Sequence, residues 1–235
     1  MNTNGNRFIN VLLIIVLCLF YLSCQKYSSE KKDSDSEDSL SDLSLWMDTL
    51  CSRAFEGRKV GTPGNKKTAV FLYDELLKMG YLPEIQEFVH TSGDTLRNII
   101  VEKRGLDDSL MIIGAHYDGQ TESNNKVHFE AANDNASGVV TLLSVMDSIS
   151  RIDVKYTIRA VFFDGEEACV RPAFKGSSYF VNSLIDKEKT VLYINIDAMG
   201  HDHDGQMILG WYGSERTYRM IDQLNKEQAF KYSIL

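Results

Sequence analysis

The hydrophobic residues of this chain form short continuous runs that alternate with longer stretches of helical periodicity. The runs have the length of buried strands, and several end abruptly at polar residues. Between them, apolar residues recur every three to four positions, as in helices that pack against a sheet. This alternation predicts an α/β fold, a three-layer sandwich whose mostly parallel, mixed sheet carries helices on both faces. The predicted strands are Arg97–Lys103, Leu110–Ala115, Tyr156–Phe163, Val191–Ile196 and, as an edge strand, Met207–Leu209; the predicted helices are Lys66–Met79, Val139–Ile149, Ser177–Ile185 and Glu215–Phe230.

The N-terminal segment has a different pattern. Arg7 precedes the apolar stretch Phe8–Leu22, which is shorter than the about 20 residues of a transmembrane helix. It fits a secretory signal, residues 1–24, and its Leu-Ser-Cys ending resembles a bacterial lipoprotein signal with Cys24 as the lipidated residue. Simple cleavage or an uncleaved anchor are the alternatives. We therefore expect an exported protein of the bacterial cell envelope, lipid-anchored to a membrane on its periplasmic or surface side.

The amino-acid composition predicts a linker after the N-terminal segment and argues against nucleic acid as a partner. Residues 25–42 are rich in Ser, Asp, Glu and Lys and nearly lack apolar side chains, which favours a flexible acidic linker. Residues 43–235 then form the folded domain, since Leu43, Trp46 and Leu50 begin a helical spacing. The net charge of -8 argues against nucleic acid as a partner. Oligomeric state is not encoded in any of these patterns.

Polar residues that can carry chemistry follow the predicted strands. His116 and Asp118 follow one strand, the run Asp164–Glu167 another, and Asp197 a third, while Asp134 lies at a helix start. Because the carboxyl ends of parallel strands meet at one sheet edge, these side chains are expected to lie close together. A buried carboxylate is costly unless it is paired or metal-bound, and histidine with carboxylates suits zinc.

Each of these residues also has an ordinary role. Asp134 can be a helix N-cap, and the two glutamates can be solvated loop acids. Asp118 can orient His116 as an outer carboxylate. Glu166 and Glu167 point opposite ways if extended, so one can bind metal while the other serves as general base toward water at the metal.

The motifs resemble those of a known family. His116-Tyr117-Asp118, Asn133–Gly138, Asp164–Glu167 and Asn195-Ile196-Asp197 occur in the order seen in the co-catalytic di-zinc aminopeptidases (metallopeptidase clan MH). That family includes bacterial leucyl aminopeptidases, glutamate carboxypeptidase II and glutaminyl cyclases. Phe55–Arg58 with Gly61–Gly64 is similar to the loop that opens the catalytic domain. The resemblance covers roughly Leu43 to Leu209.

The resemblance implies a role for each position. His116 and Asp197 would hold one zinc, Asp134 would bridge two, Glu167 would bind the second, Glu166 would be the general base, and Asp118 would support His116.

One family ligand has no counterpart here. The family's fifth ligand is a histidine well beyond the position of Asp197, so we expect the last strand and helix to be missing. His201 and His203 follow Asp197 too closely to replace it, and His90 and His128 match no motif. We therefore expect at most one tightly held zinc, and weak or no activity from these residues alone.

The implied function is that of a zinc-dependent exopeptidase that removes N-terminal residues from peptide substrates. Two alternatives stay open: a glutaminyl cyclase-like acyltransferase with a single zinc, and a truncated, non-catalytic relative. Cys51 and Cys169 can pair or be two unrelated thiols, and neither has the spacing of a structural zinc site.

Overall fold

The computed structural model describes residues 34–120, 130–167 and 175–199, together with 207–209, 215, 219, 222–223, 226 and 232–234. The chain divides into two compact units, residues 31–199 and residues 1–30 with 200–235. In the first unit the helices are α1 (Ser34–Cys51), α2 (Pro63–Lys78), α3 (Gly138–Ser150) and α4 (Lys175–Ser183), and the strands are β1 (Glu84–Val89), β2 (Thr95–Lys103), β3 (Asp107–His116), β4 (Tyr156–Phe163) and β5 (Thr190–Asn195).

The five strands form one mixed sheet in the order β1-β2-β4-β3-β5. β3 runs parallel to β4 and to β5, whereas β2 is antiparallel to both β1 and β4. The expectation of an α/β fold with a mixed sheet flanked by helices is confirmed. Its parallel part is confined to β3, β4 and β5, and the carboxyl ends of these three strands meet at one edge.

The core lies where the helices cover the sheet. α3 packs against β3 and β4, and α2 and α4 pack against β2. β3 and β4 are buried over most of their length, which explains why their sequences are continuous apolar runs rather than alternating ones. α3 contributes a fully apolar face of buried residues: Val139, Leu142, Leu143, Val145, Met146 and Ile149.

Two elements differ from the sequence-based expectation. α1 begins at Ser34, inside the segment expected to be a flexible linker. The sequence of its first turns is rich in Asp and Glu, a composition that is common at the starts of helices. Strand β1 was not predicted, because it is a largely exposed edge strand whose sequence, EIQEFV, is half polar.

The second unit contains two further strands, β6 (Met207–Leu209) and β7 (Tyr232–Ile234), which pair in parallel as a two-stranded sheet. Met207–Leu209 is therefore a strand, as predicted. Helical backbone is present at Glu215, Arg219 and Lys226, within the predicted helix Glu215–Phe230.

The predictions about the N-terminal segment and the cysteines concern residues that mostly lie outside the described part of the chain. No helix in the described part of the chain is both long and apolar enough to cross a membrane. Cys24 and the predicted signal, residues 1–24, lie outside the described residues. Cys51 is a free thiol that donates to the Met47 sulfur at 3.6 Å, and Cys169 is outside the described residues, so their pairing stays untested.

Candidate active site

His116 is the last residue of β3 and is buried, with 4% of its surface exposed. Its Nδ1 lies 3.1 Å from the backbone carbonyl oxygen of Asp118. A carbonyl oxygen can only accept, so Nδ1 carries a proton in this contact. Nε2, on the other side of the ring, is buried and has no hydrogen-bond partner among the described residues. An orphaned imidazole nitrogen in a protein interior is costly unless a cation or a proton donor faces it.

Two carboxylates approach that nitrogen. Asp134 Oδ1 lies 3.1 Å and Asp197 Oδ1 lies 3.4 Å from His116 Nε2. In the described part of the chain, these three residues form a group whose ligand atoms all lie within 4.8 Å of one another. One imidazole nitrogen and two carboxylate oxygens, converging with an open side, match the donor set of a three-ligand zinc site. The residues present therefore fit a divalent metal.

Asp134 is held by an irregular turn rather than by a helix start. It lies in the segment Ala132–Ser137, with φ -112° and ψ 94°, and the peptide bond to Asn135 is cis. Helix α3 starts only after this segment, with Ser137 at its N-cap position. Asp134 therefore does not cap α3, and 55% of its side chain is exposed.

Asn135 ties this turn to the end of β5. Its Nδ2 donates to the Ile196 carbonyl at 2.9 Å, and its Oδ1 accepts from the amides of Gly138 at 2.9 Å and Ala198 at 3.3 Å. A Cβ at Gly138 would lie 2.3 Å from the Asn135 Oδ1 and 2.6 Å from the Ile196 oxygen, so only glycine allows this close approach. Asn135 thus sets the position of Asp134 relative to Asp197.

Asp197 follows the last strand of the parallel part of the sheet. The Ile196 amide donates to the Gly114 carbonyl at 2.8 Å, which continues the pairing of β5 with β3 by one residue. The next residue, Asp197, is thereby brought beside the end of β3, where His116 lies.

Asp118 connects His116 with the two glutamates. It is fully buried, and its carboxylate accepts from the backbone amides of Glu166 at 3.1 Å and Glu167 at 2.9 Å. Its carboxylate is farther from the His116 ring, with Oδ1 at 3.6 Å from Nδ1. The backbone carbonyl of Asp118 therefore orients the imidazole, whereas its side chain fixes the turn after β4.

The two glutamates go to different surroundings. Glu166 shares with His116 and Asp197 the wall of a cavity of 320 Å³, which Phe163 and Tyr193 also line. Glu167 accepts a hydrogen bond from Gln120 Nε2. It does not belong to the three-residue group, so its assignment as a ligand of a second metal stays a prediction.

The electrostatics of the site favour a cation at the imidazole. Burial lowers the pKa of His116, but hydrogen bonds to and charges of Asp118 and Asp197 outweigh it and raise the pKa to about 11. The carboxylates thus stabilise positive charge at this position, whether it is a proton or a metal ion. Burial raises the pKa of Glu166, and the positive charge of His116 opposes this rise. A raised pKa brings a carboxylate closer to the range useful for proton transfer.

Sequence reasoning identified the charged groups but not the residues that place them. Arg58, Asn65 and Asp164 are all buried around the site, and Asn65 Nδ2 donates to Asp164 Oδ1 at 2.8 Å. Burial and the charge of Asp118 raise the pKa of Asp164 to about 7. His128, His201 and His203 lie outside the described residues, and His90 lies in the β1–β2 turn with Nδ1 2.6 Å from Ser92 Oγ.

Comparison with known proteins identifies the family. Residues 98–233 match the sequence profile of peptidase family M28. The chain belongs to peptidase family M28. It is 31% identical over 123 residues to a probable leucine aminopeptidase 2 of Aspergillus fumigatus, which covers 51% of this chain and 23% of that protein. It is 26% identical over 167 residues to the alkaline phosphatase isozyme conversion protein of Escherichia coli, covering 62% and 47%. The chain thus spans less than half of the length of these curated relatives.

Solved structures share the fold of this M28 chain. A leucine aminopeptidase precursor from Bacteroides thetaiotaomicron has a TM-score of 0.65 at 19% identity, over 83% of this chain and 77% of that one. A glutaminyl cyclase from Porphyromonas gingivalis has a TM-score of 0.63 at 20% identity, over 83% and 82%. A zinc aminopeptidase from Bacillus subtilis has a TM-score of 0.70 at 13% identity, over 84% and 79%. At these identities the likeness establishes the fold alone.

Proposed function

We propose that this M28 chain is a zinc-dependent exopeptidase that removes N-terminal residues from peptides. The observation that carries the proposal is the convergence of the buried Nε2 of His116 with the carboxylates of Asp134 at 3.1 Å and Asp197 at 3.4 Å. These three residues would hold the zinc ion. Bound there, zinc supplies a Lewis acid that polarises a carbonyl oxygen and lowers the pKa of a water molecule.

The chain's own groups supply the rest of the chemistry. Glu166 lines the same cavity as His116 and Asp197, so its carboxylate can accept the proton of the attacking water and return it to the leaving amine. The Asp118 carboxylate accepts the backbone amide of Glu166 and so fixes the position of the backbone from which the Glu166 side chain extends.

The choice of an N-terminal residue as the substrate has an electrostatic basis. Asp134 and Asp197 lie in one group with His116, and the charge of Asp134 acts on the carboxyl of Glu167, so three carboxylates lie near one another. A peptide's terminal ammonium is the cationic group that such a cluster attracts. The relatives named leucine aminopeptidase support the same assignment.

A paired assay separates this function from that of a cyclase. The full chain, supplied with zinc, is incubated with an aminoacyl-nitroanilide and, separately, with a peptide that begins with glutamine. We expect weak, chelator-sensitive nitroaniline release that still exceeds the rate of the Glu166→Gln variant, and no pyroglutamate. Pyroglutamate without hydrolysis would favour acyl transfer, and equal release by the variant would exclude Glu166 as the base.

We further propose that the protein is lipid-anchored through Cys24 to a membrane of the bacterial cell envelope, on its periplasmic or surface side. The support is the sequence alone, the apolar stretch Phe8–Leu22 followed by Ser23-Cys24. Metabolic palmitate labelling of cells that express the wild type and Cys24→Ala tests it. We expect label and detergent-phase partitioning in the wild type alone, and an unlabelled wild type would contradict the anchor.

A further inference from the structure

Arg58 is the largest fully buried side chain in the described part of the chain, with 0% of its surface exposed. A buried guanidinium is stabilised only when hydrogen bonds replace its lost water. Here the partners are backbone carbonyl groups. Nε donates to the Tyr117 oxygen at 2.8 Å, Nη1 to the oxygens of Leu50 at 2.7 Å and Glu130 at 3.0 Å, and Nη2 to the Ala131 oxygen at 2.7 Å.

These four carbonyls belong to three separate segments. Leu50 lies in the last turn of α1, Tyr117 lies between His116 and Asp118, and Glu130 and Ala131 lie just before the turn that carries Asp134. The Ala131 oxygen also accepts from the Ala136 amide at 3.0 Å, so the bond from Arg58 acts on the Asp134 turn itself. One side chain therefore joins two segments, the chain just after His116 at the end of β3 and the turn that carries Asp134.

The backbone of Arg58 is fixed as firmly as its side chain. Its carbonyl accepts from Asn65 Nδ2 at 3.2 Å and from the Gly119 amide at 3.4 Å. Glu56, Gly57 and Arg58 all have positive φ, at 50°, 64° and 59°. This left-handed run is unfavourable for the two non-glycine residues, and it turns the Arg58 side chain into the interior.

We propose that Arg58 is a positioning residue, which holds His116 and Asp134 at the separation that one metal ion requires. The inference rests on the metal site of the proposed function but concerns a residue that would not touch the metal. The hydrogen bonds of Arg58 and its positive charge have opposite effects on the zinc affinity of the site: the bonds hold the ligands in place, whereas the charge repels the metal ion. Burial lowers the pKa of Arg58, and the charges of Cys51, Asp118 and Asp134 oppose this. The guanidinium therefore lies within electrostatic reach of the site, and its charge opposes a second cation.

This opposition makes the test decisive. If Arg58 acted through charge alone, Arg58→Met would bind zinc more tightly and Arg58→Lys would bind it like the wild type. If Arg58 acts by holding these two segments together, both variants bind zinc more weakly. The lysine ammonium cannot reproduce the planar fork of donors, and methionine has no donor at all. Loss of such an outer support is expected to weaken metal binding by roughly 10-fold or more.

The experiment measures zinc affinity of the full chain by competition with a chromogenic chelator, together with the visible absorption spectrum of the cobalt form. Arg159→Met is the control, because Arg159 is a second largely buried arginine, with 18% of its side chain exposed, and it bonds the carboxylates of Glu102 and Asp186 instead of backbone carbonyls. It pairs with Ile112, four positions before His116 in β3. We expect unchanged affinity and spectrum in the control, and weaker binding with an altered cobalt spectrum in Arg58→Lys and Arg58→Met.

Three outcomes would overturn the proposal. The first is wild-type or tighter zinc affinity in Arg58→Lys, which decides the question if Arg58→Met does not fold. The second is an equal loss of affinity in Arg159→Met. The third is failure of both Arg58 variants to fold with or without zinc, which would make Arg58 a requirement of the fold. If the wild type binds no zinc, the proposed function itself fails.

Discussion

At the residue scale, the site depends on Asp118 as much as on the groups that face the metal position. Its buried carboxylate accepts two backbone amides, those of Glu166 and Glu167, while its carbonyl holds Nδ1 of His116. An asparagine keeps the size of this side chain but offers only one accepting oxygen. One of the two amides would then face an NH₂ group.

We therefore expect Asp118→Asn to weaken zinc binding by roughly 10- to 100-fold, the usual effect of removing an outer partner of a metal ligand. Chelator competition measures the affinity. Asp108→Asn, at an exposed carboxylate at the start of β3, is the control and should bind like the wild type. Unchanged affinity in Asp118→Asn would show that the turn after β4 does not need this carboxylate.

We expect substitution of the two glutamates to have different effects on zinc binding and on the rate of hydrolysis. Glu166→Gln should retain zinc and lose roughly 10²–10⁴-fold in the rate of peptide hydrolysis, since a general base contributes about that much. Glu167→Gln should instead weaken the binding of a second zinc ion supplied in excess, because Glu167 lies outside the group of His116, Asp134 and Asp197. Zinc content and initial rates of both variants are the measurements, and equal loss of zinc in both would contradict this division of roles.

At the element scale, the site is assembled by the ends of β3 and β5 and by the turn before α3. The sequence could predict this, because three apolar runs end in polar residues and parallel strands align their carboxyl ends. It could not predict the strand order, in which β4 lies between β2 and β3. It also missed Arg58 and Asn135 as supports, since a buried arginine bonded to carbonyls leaves no pattern in the sequence.

Loss of the Asn135 side chain should lower the free energy of unfolding. Its side chain makes three hydrogen bonds between the Asp134 turn and the end of β5. Asn135→Ala leaves the Ile196 carbonyl and two amides without this partner, and we expect a loss of about 1–3 kcal/mol in the free energy of unfolding. Urea unfolding measures it. Asn182→Ala, an exposed asparagine on α4, should change stability by less than about 0.5 kcal/mol, and equal effects would contradict the role of Asn135.

At the scale of the whole molecule, the fold brings two carboxylates together beside a buried imidazole nitrogen, an arrangement that costs stability unless a proton or a metal ion lies between them. A ligand that binds only the folded state adds RT ln(1 + [L]/Kd), or about 2.7 kcal/mol at 100 times Kd. We therefore expect zinc to raise the melting temperature of the wild type. His116→Ala should show no such rise, and a zinc-independent melting temperature in the wild type would contradict the linkage.

The sequence predicted the α/β class from local pattern, and it named as candidate metal ligands the three residues that the structure brings within 4.8 Å of one another. It did not predict that helix α1 begins at Ser34, because the acidic sequence of its first turns resembles a solvated linker. The fate of His201 and His203 lies outside the described residues, so the expectation of a single tight zinc rests on the one group that the described residues form.

The most direct test of this account is the zinc content of the purified full chain, measured after dialysis against metal-free buffer. We predict one zinc per chain in the wild type and less than a tenth of that in His116→Ala and Asp197→Asn, each checked as folded by circular dichroism. Zinc retained at the wild-type level in His116→Ala, or no zinc bound by the wild type, would contradict the central claim.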